Sequence, residues 1–309
     1  MSDVTLTANA RNSLLSLTST ASLMSRTTGR LTSGLKVASA IDDAVSYFKA
    51  KGLSDRASDF STRKDEIDQG MSSMKAAING TTLVDSILKQ MKGVINSVRT
   101  ADSTTRGAYT SQFNDLAKQV NSALADSSYQ GLNLVDNSSA SLTVYFNQGT
   151  SASLNVHAKS LRASKLMTAM STAYGAAGAS TSKVVADLLA AAGPAGVATG
   201  ATGFSTLNSQ TGLSPAAILD KMASFIDLSV SKVRSQTALF GGNVTFLQSR
   251  LDFTNNYINT LQEGSGKLTL ADLNEEGANL VSLQTRQQIG VQSLSIAGQQ
   301  QQAILSLLR

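Results

Sequence analysis

Residues 30–44 read Arg-Leu-Thr-Ser-Gly-Leu-Lys-Val-Ala-Ser-Ala-Ile-Asp-Asp-Ala. This short polar stretch interrupts two long runs of helical periodicity. Before it, apolar or small residues recur at Ala10, Leu14, Leu17, Ala21, Met24, Leu31 and Leu35, a row of three- and four-residue steps that only Thr28 breaks. After it, Leu53, Phe60, Ile67, Met74, Thr81, Leu88 and Ile95 stand seven apart, with Met71, Ile78, Val84, Met91 and Val98 between them. Both rows are one-sided stripes on helices. The stretch itself holds Gly34, which loosens the backbone. It also holds Asp42 and Asp43, which suit the first turn of the following helix, where the dipole favours negative charge. It reads as a hinge.

Working outward, the spacing predicts a helix over 4–35 whose other faces are Ser, Thr and Asn, middling helix formers. Alone in water such a helix is marginal, so it needs a partner. The helix after the hinge, 44–100, would run about 85 Å unbroken at 1.5 Å per residue, a length that points to a coiled coil or bundle. Gly70 and Gly80 are expected to weaken it locally. After Asp102-Ser103-Thr104-Thr105 a shorter helix carries Tyr109, Phe113, Leu116, Val120 and Leu124 on one face, and Asp126-Ser127-Ser128 with Gly131 ends it. The period then drops to two. Leu142, Val144 and Phe146, then Leu154 and Val156, flank Asn147-Gln148-Gly149-Thr150 and predict a β-hairpin. His157, the chain's single histidine, falls at the end of the second strand. Without a second His or clustered acids it is a surface strand residue.

Residues 166–214 shift to Ala, Gly, Ser and Thr; Val184, Val185, Leu188 and Leu189 predict one short helix, stopped by Gly193-Pro194. Ser214-Pro215 then makes a good helix start. Ile218, Met222, Phe225, Val233, Phe240, Leu247, Leu251, Ile258 and Leu261 line the next helix, with Gly241-Gly242 as a candidate bend and Gly264-Ser265-Gly266 as its end. Thr269 and Asp272 are candidate caps for the last helix. There Leu280, Val291, Leu294, Leu305 and Leu308 hold heptad sites, with Leu283, Ala297 and Ile304 beside them and Gln284, Gln287 and Gln301 at other core-type sites. A stripe this polar suits a seam that assembles late and stays soluble beforehand.

Composition excludes several function classes. The chain has 309 residues, no Cys, no Trp, one His and two Pro. Without Cys there is no disulfide framework, thiolate metal site or thiol nucleophile. The net charge is +5, but only 15% of residues are charged and the basic ones are scattered, so no nucleic-acid grip is expected. No apolar run reaches the ~18 residues that span a bilayer, so no membrane insertion is expected. There is no Gly-rich phosphate loop, no His-Glu-x-x-His and no Gly-x-Ser-x-Gly. The acid pairs Asp42-Asp43 and Glu275-Glu276 are sequence neighbours and do not face each other on a helix; they read as helix-start or solvated charges. No enzyme activity and no cofactor is expected. Met-Ser-Asp-Val-Thr-Leu-Thr-Ala-Asn at the N-terminus lacks the basic and apolar regions of a cleavable signal, which by itself would leave the protein in the cytoplasm.

Leu-Thr-Ser-Gly-Leu-Lys at 31–36, Ser39-Ala40 and Asp42-Asp43-Ala44 resemble the signature that joins the two N-terminal helical segments of bacterial flagellins. Residues 299–309, Gln-Gln-Gln-Gln-Ala-Ile-Leu-Ser-Leu-Leu-Arg, resemble the flagellin C-terminus. The resemblance covers roughly residues 1–165 and 215–309, and two motifs, each at the correct end, are far more specific than one.

The resemblance implies a mainly α fold: an elongated antiparallel helical bundle with the N- and C-terminal helices paired, plus a β-hairpin and a small variable insert. It implies a terminal inner-tube domain from 1–43 and 265–309, a helical rod domain from 44–165 and 215–264, and a short surface-exposed insert at 166–214. It implies a filament subunit exported through the flagellum's own channel to the cell exterior. Its partners would be copies of itself, an export chaperone and the export apparatus, and the filament cap and junction proteins. Assembly would rest on Leu14, Leu17, Met24, Leu31, Leu280, Val291, Leu294, Leu305 and Leu308, and hinging on Gly34, Asp42 and Asp43. A hook–filament junction protein shares the terminal helical patterns, but the Leu-Ser-Leu-Leu-Arg ending and the fit of both arms favour flagellin. A secreted coiled-coil adhesin would carry an ordinary export signal. One segment departs from the family. Flagellins detected by the animal innate receptor have a stretch like Leu-Gln-Arg-Val-Arg-Glu-Leu-Ala; here residues 88–95 are Leu-Lys-Gln-Met-Lys-Gly-Val-Ile. Gln90 replaces the first Arg, Gly93 the Glu and Val94 the Leu, and a bidentate Arg contact is lost at 90.

Overall fold

The computed structural model describes residues 8–136, 139–147, 149, 151–166 and 215–307. Leu308 and, but for Leu166, the insert expected over 166–214 lie outside them, with the short helix read at Val184–Leu189. The order of elements is α1 (Ala8–Ser33), α2 (Ala44–Val98), α3 (Ser103–Asp126), β1 (Ser128–Tyr129), β2 (Leu132–Asn133), β3 (Ser141–Tyr145), β4 (Ser153–His157), α4 (Pro215–Thr269) and α5 (Leu273–Leu307). The mainly α class and the hairpin are as the periodicities require. Over their described residues these elements form two compact units, Met1–Ser58 with Tyr257–Arg309, and Asp59–Asn256.

The second unit holds the larger core. Ile67, Met74, Thr81, Leu88 and Ile95, the seven-residue row of α2, are all fully buried. They pack with Phe113, Val120 and Leu124 of α3 and with Met222, Val233, Phe240 and Leu247 of α4. Each such side chain withdrawn from water contributes about 1.5–3 kcal/mol. Asp102 caps α3, its Oδ1 accepting from the Thr105 amide at 2.8 Å. β3 and β4 pair antiparallel in the register Leu142↔Val156 and Val144↔Leu154, so alternate residues face the core. Val144 and Val156 are buried, and His157 is an exposed strand-end residue.

Gly70 and Gly80 do not interrupt α2. They mark where other elements press onto it. A Cβ at Gly70 would come within 2.5 Å of Val144 Cγ2, and one at Gly80 would overlap the Ser127 side chain. The sequence also conceals a second hairpin, β1–β2, whose turn places Gln130 and Gly131 at φ of 49° and 80°. Two successive positive φ values match the twist of a two-residue hairpin, which is why glycine stands second.

In the first unit α4 continues through Gly264-Ser265-Gly266 to Thr269 rather than ending there. The small residues accommodate α2: a Cβ at Gly264 would meet Leu53 at 3.4 Å, and Ser265 Oγ donates to the Ala50 carbonyl at 3.1 Å. Gly241-Gly242 likewise lies within unbroken helix. Thr269 is the last residue of α4. The start of α5 is capped by Asp272, whose Oδ1 accepts from the Asn274 amide at 2.9 Å.

Candidate assembly surfaces

In the first unit α1 and α5 run antiparallel. Leu17 lies against Gly290, where an added Cβ would stand 2.9 Å from Leu17 Cδ2. Thirteen residues further along α1, Arg30 Nη1 donates to Glu276 Oε1 at 3.0 Å. The covered row of α1 is Ser13, Leu17, Thr20, Met24, Thr27 and Leu31; that of α5 is Glu276, Leu280, Leu283, Gln287, Gly290 and Leu294. Leu17, Met24, Leu31, Leu280 and Leu294 are half-buried in this seam. Leu14 and Val291 are not. They are 43% and 56% exposed and lie beside the seam, where Ser13 and Gly290 take the inward sites. Leu305 is part of α5. Glu276, read from sequence as a solvated helix-start charge, is buried and paired; its neighbour Glu275 is the exposed one.

This seam is thin. Thr27, Glu276 and Leu283 are its only buried members among the described residues, and each keeps 8–9% of its surface exposed. The outer faces of the same helices carry Leu14, Leu15 and Leu23 on α1 and Val281, Ile289 and Ile296 on α5, all exposed. A groove of about 610 Å³ runs between the helices, lined among others by Ser13, Ser16, Thr20, Leu23 and Ile289. Apolar surface of this extent on paired helices is what an interaction face looks like.

The segment between α1 and α2 is built from capping chemistry. Gly34, at φ 72°, stops α1: its amide returns to the Arg30 carbonyl at 2.8 Å, a left-handed C-cap that glycine adopts without strain. The chain then pairs with the return segment. Leu35 bridges Leu270, and the Lys36 amide donates to the Thr269 carbonyl at 2.7 Å. Asp42 Oδ2 accepts from the Ala38 and Ser39 amides and the Ser39 hydroxyl. Asp43 caps α2, accepting from the Val45 and Ser46 amides and the Ser46 hydroxyl. The Ser39 amide and hydroxyl hold the Asp42 carboxyl below its ordinary value, and the Ser46 hydroxyl and amide do the same for Asp43.

In the second unit a ladder of ion pairs ties α2 to α4. Asp85 meets Arg234 at 2.8 Å, Lys92 meets Asp227 at 2.7 Å, and Arg99 meets Asp220. The rungs are seven residues apart along both segments and antiparallel, with Arg99 standing just past the end of α2. Their sign pattern resists slippage: a one-heptad slip in either direction sets Asp85 against Asp227 or Lys92 against Arg234. Nothing in the apolar pattern announces these pairs. The seven-residue spacing of opposite charges at 85, 92, 99 and 220, 227, 234 was the available signal. Burial raises the Asp85 carboxyl, but hydrogen bonds and charge from Lys89 and Arg234 outweigh it and leave the group below its ordinary value. Just beyond the first rung, Gln90 and Gly93 are exposed on α2, and Val94 is buried in the core.

No group of three or more metal-ligating side chains occurs among the described residues, and no helix there is long and apolar enough to cross a membrane. The chain matches two family models: the bacterial flagellin N-terminal helical region over residues 4–140, and the bacterial flagellin C-terminal helical region over residues 223–308. It is 28% identical over 311 residues to flagellin FljO of Caulobacter vibrioides, with 100% of this chain and 99% of that relative aligned. It is 27% identical over 301 residues to flagellin C of Rhizobium meliloti, covering 92% of each. It is 24% identical over 309 residues to a flagellin of Brucella melitensis, covering 100% of each. Matched at both ends and aligned throughout, the chain belongs to the bacterial flagellin family.

Proposed function

We infer that the chain is the structural subunit of a flagellar filament, a helical polymer that serves swimming motility. The observation that carries this reading is the pairing of α1 with α5, the ends of the chain that both family models match, through a thin seam that leaves apolar faces outward. Those faces need cover, and copies of the same chain supply it. Heterologous contacts that do not close on themselves generate a helical filament. In this reading residues 1–43 and 265–309 form the inner tube, 44–165 and 215–264 the helical rod, and 166–214 an exposed insert. The terminal helices gain most of their stability on assembly, when burial between neighbours offsets the cost of ordering them. The work of the chain is mechanical rather than catalytic. Its further partners are an export chaperone, the export apparatus, and the cap and junction proteins, and its place is the extracellular filament.

Electron microscopy of purified monomer with and without short filament seeds tests this. Seed-dependent growth of long, regular hollow tubes is expected. Short caps that stop growing, or no assembly by folded monomer, would overturn it. The altered surface at Gln90 and Gly93 carries a second expectation, weak or absent activation of the animal innate receptor. Strong signalling in receptor-reporter cells would contradict it.

A further inference from the structure

All the sulfur of this chain is in methionine. It has eight Met, no Cys, and no Trp to compete for an oxidant. Met1, Met167 and Met170 lie outside the described residues. Of the other five, Met71, Met74, Met91 and Met222 are sealed in the core of the second unit, none more than 7% exposed. Met24 differs: it is half-buried, and it lies in the seam of the first unit. It stands seven residues after Leu17 on α1, and Leu283 stands seven before Gly290 on α5. Leu17 lies against Gly290 and the two helices are antiparallel, so Met24 is level with Leu283 across the seam. Leu283 is the one buried apolar side chain of that seam among the described residues.

A thioether is oxidised where the oxidant reaches it and is spared where packing seals it. A hydroperoxide carries out the step without a cofactor. The sulfur lone pair attacks the terminal peroxide oxygen, an S–O bond forms as the O–O bond breaks, and the departing oxygen takes up the proton of the attacked O–H and leaves as water or an alcohol. The sulfur loses two electrons and the peroxide gains them. The product puts a polar S=O where a flexible apolar side chain stood. Opposite Leu283 that oxygen loses water without gaining a donor. A deep core could spread the loss over many contacts, but this seam has only Thr27, Glu276 and Leu283 buried. We propose that Met24 is an oxidation-sensitive site of the terminal seam: its conversion to the sulfoxide by hydroperoxides loosens α1 from α5 and withholds the subunit from growth. The second unit stays folded with its methionines unoxidised. The effect on growth rests on the filament reading; the selective oxidation rests on burial alone.

Full-length monomer is treated with hydrogen peroxide until Met24 is partly oxidised, freed of peroxide, and offered to short seeds. Mass spectrometry of peptides follows each sulfoxide. Met24 should oxidise at least tenfold faster than Met71, Met74, Met91 and Met222. Its sulfoxide should be about fivefold scarcer in the new filament than in the monomer left in solution. Met24→Leu, compared with its own untreated growth, should lose the sensitivity to peroxide. Equal oxidation rates for Met24 and the core methionines, or equal sulfoxide content in filament and leftover monomer, would overturn this inference and leave the filament reading standing. Peroxide that slows Met24→Leu as strongly as the parent would overturn it too. Failure of the untreated chain to form filaments would instead overturn the filament reading, and with it the effect on growth, while the oxidation rates still decide whether Met24 is the sensitive site.

Discussion

Gly80 and Gly93 lie on the same helix and look alike in the sequence, yet their surroundings give them opposite roles. A methyl group at Gly80 would overlap Ser127, whose hydroxyl is already committed to the Ala123 carbonyl at 2.5 Å. Gly80→Ala should therefore destabilise the monomer by about 1–3 kcal/mol, as overpacked sites do. Gly93 has open space where a Cβ would go, so Gly93→Ala should stabilise by about 0.5–1 kcal/mol through helix propensity alone. Urea unfolding of the two variants checks the signs; equal effects would refute the close-approach reading of Gly80. At this scale the sequence revealed the buried row of α2, because a seven-residue period survives without knowledge of the partner. It did not reveal the purpose of Gly70 and Gly80, which meet Val144 and Ser127, 74 and 47 positions further along the chain. For the same reason Glu276 was misread: its partner, Arg30, lies at the other end of the chain.

At the scale of elements, the ion-pair ladder fixes the register of α2 against α4. The Lys92–Asp227 rung is the cleanest test because each residue has one partner. Lys92→Asp should cost about 0.5–1 kcal/mol, and adding Asp227→Lys should recover most of it. No recovery in the double variant would mean that the rung does not couple the helices. Asp85 adds a pH dependence. Its carboxyl is held below the ordinary 3.8, so its contribution is fully present above that value and is lost as the pH falls through the lowered one. Asp85→Asn should lose roughly 1 kcal/mol at neutral pH and show a shallower acid limb in urea titrations from pH 6 to pH 2. An unchanged acid limb would remove Asp85 from the account. Helix starts were legible at Asp43 and Asp272, where an acidic residue precedes a periodic run, whereas Asp102 lies in a stretch that reads only as a break and in fact caps a helix starting at Ser103. Helix ends were less so. Gly264-Ser265-Gly266 has the composition of a stop, but its small residues let α2 approach a helix that continues.

For the whole molecule, the pairing of the chain's two ends was legible from the row through Leu17, Met24 and Leu31 and from the heptads at Leu280 and Leu294. The sequence pattern placed one of the two heptad positions of the α1 stripe a single residue late, at Leu14 and Ala21. Ser13, Thr20 and Thr27 take those inward sites, and small polar residues give a periodicity reading no signal. What remains outward is the apolar surface that assembly needs. The account therefore stands on the terminal helices. Deleting residues 290–309 removes the Gly290 notch that receives Leu17 and about the last five turns of α5, while the core of Asp59–Asn256 is untouched. The most direct measurement is seeded growth of that truncated chain followed by electron microscopy, with circular dichroism to establish that the monomer is folded. The account predicts a folded, soluble monomer that adds to no seed. Long regular filaments from the truncated chain would contradict it.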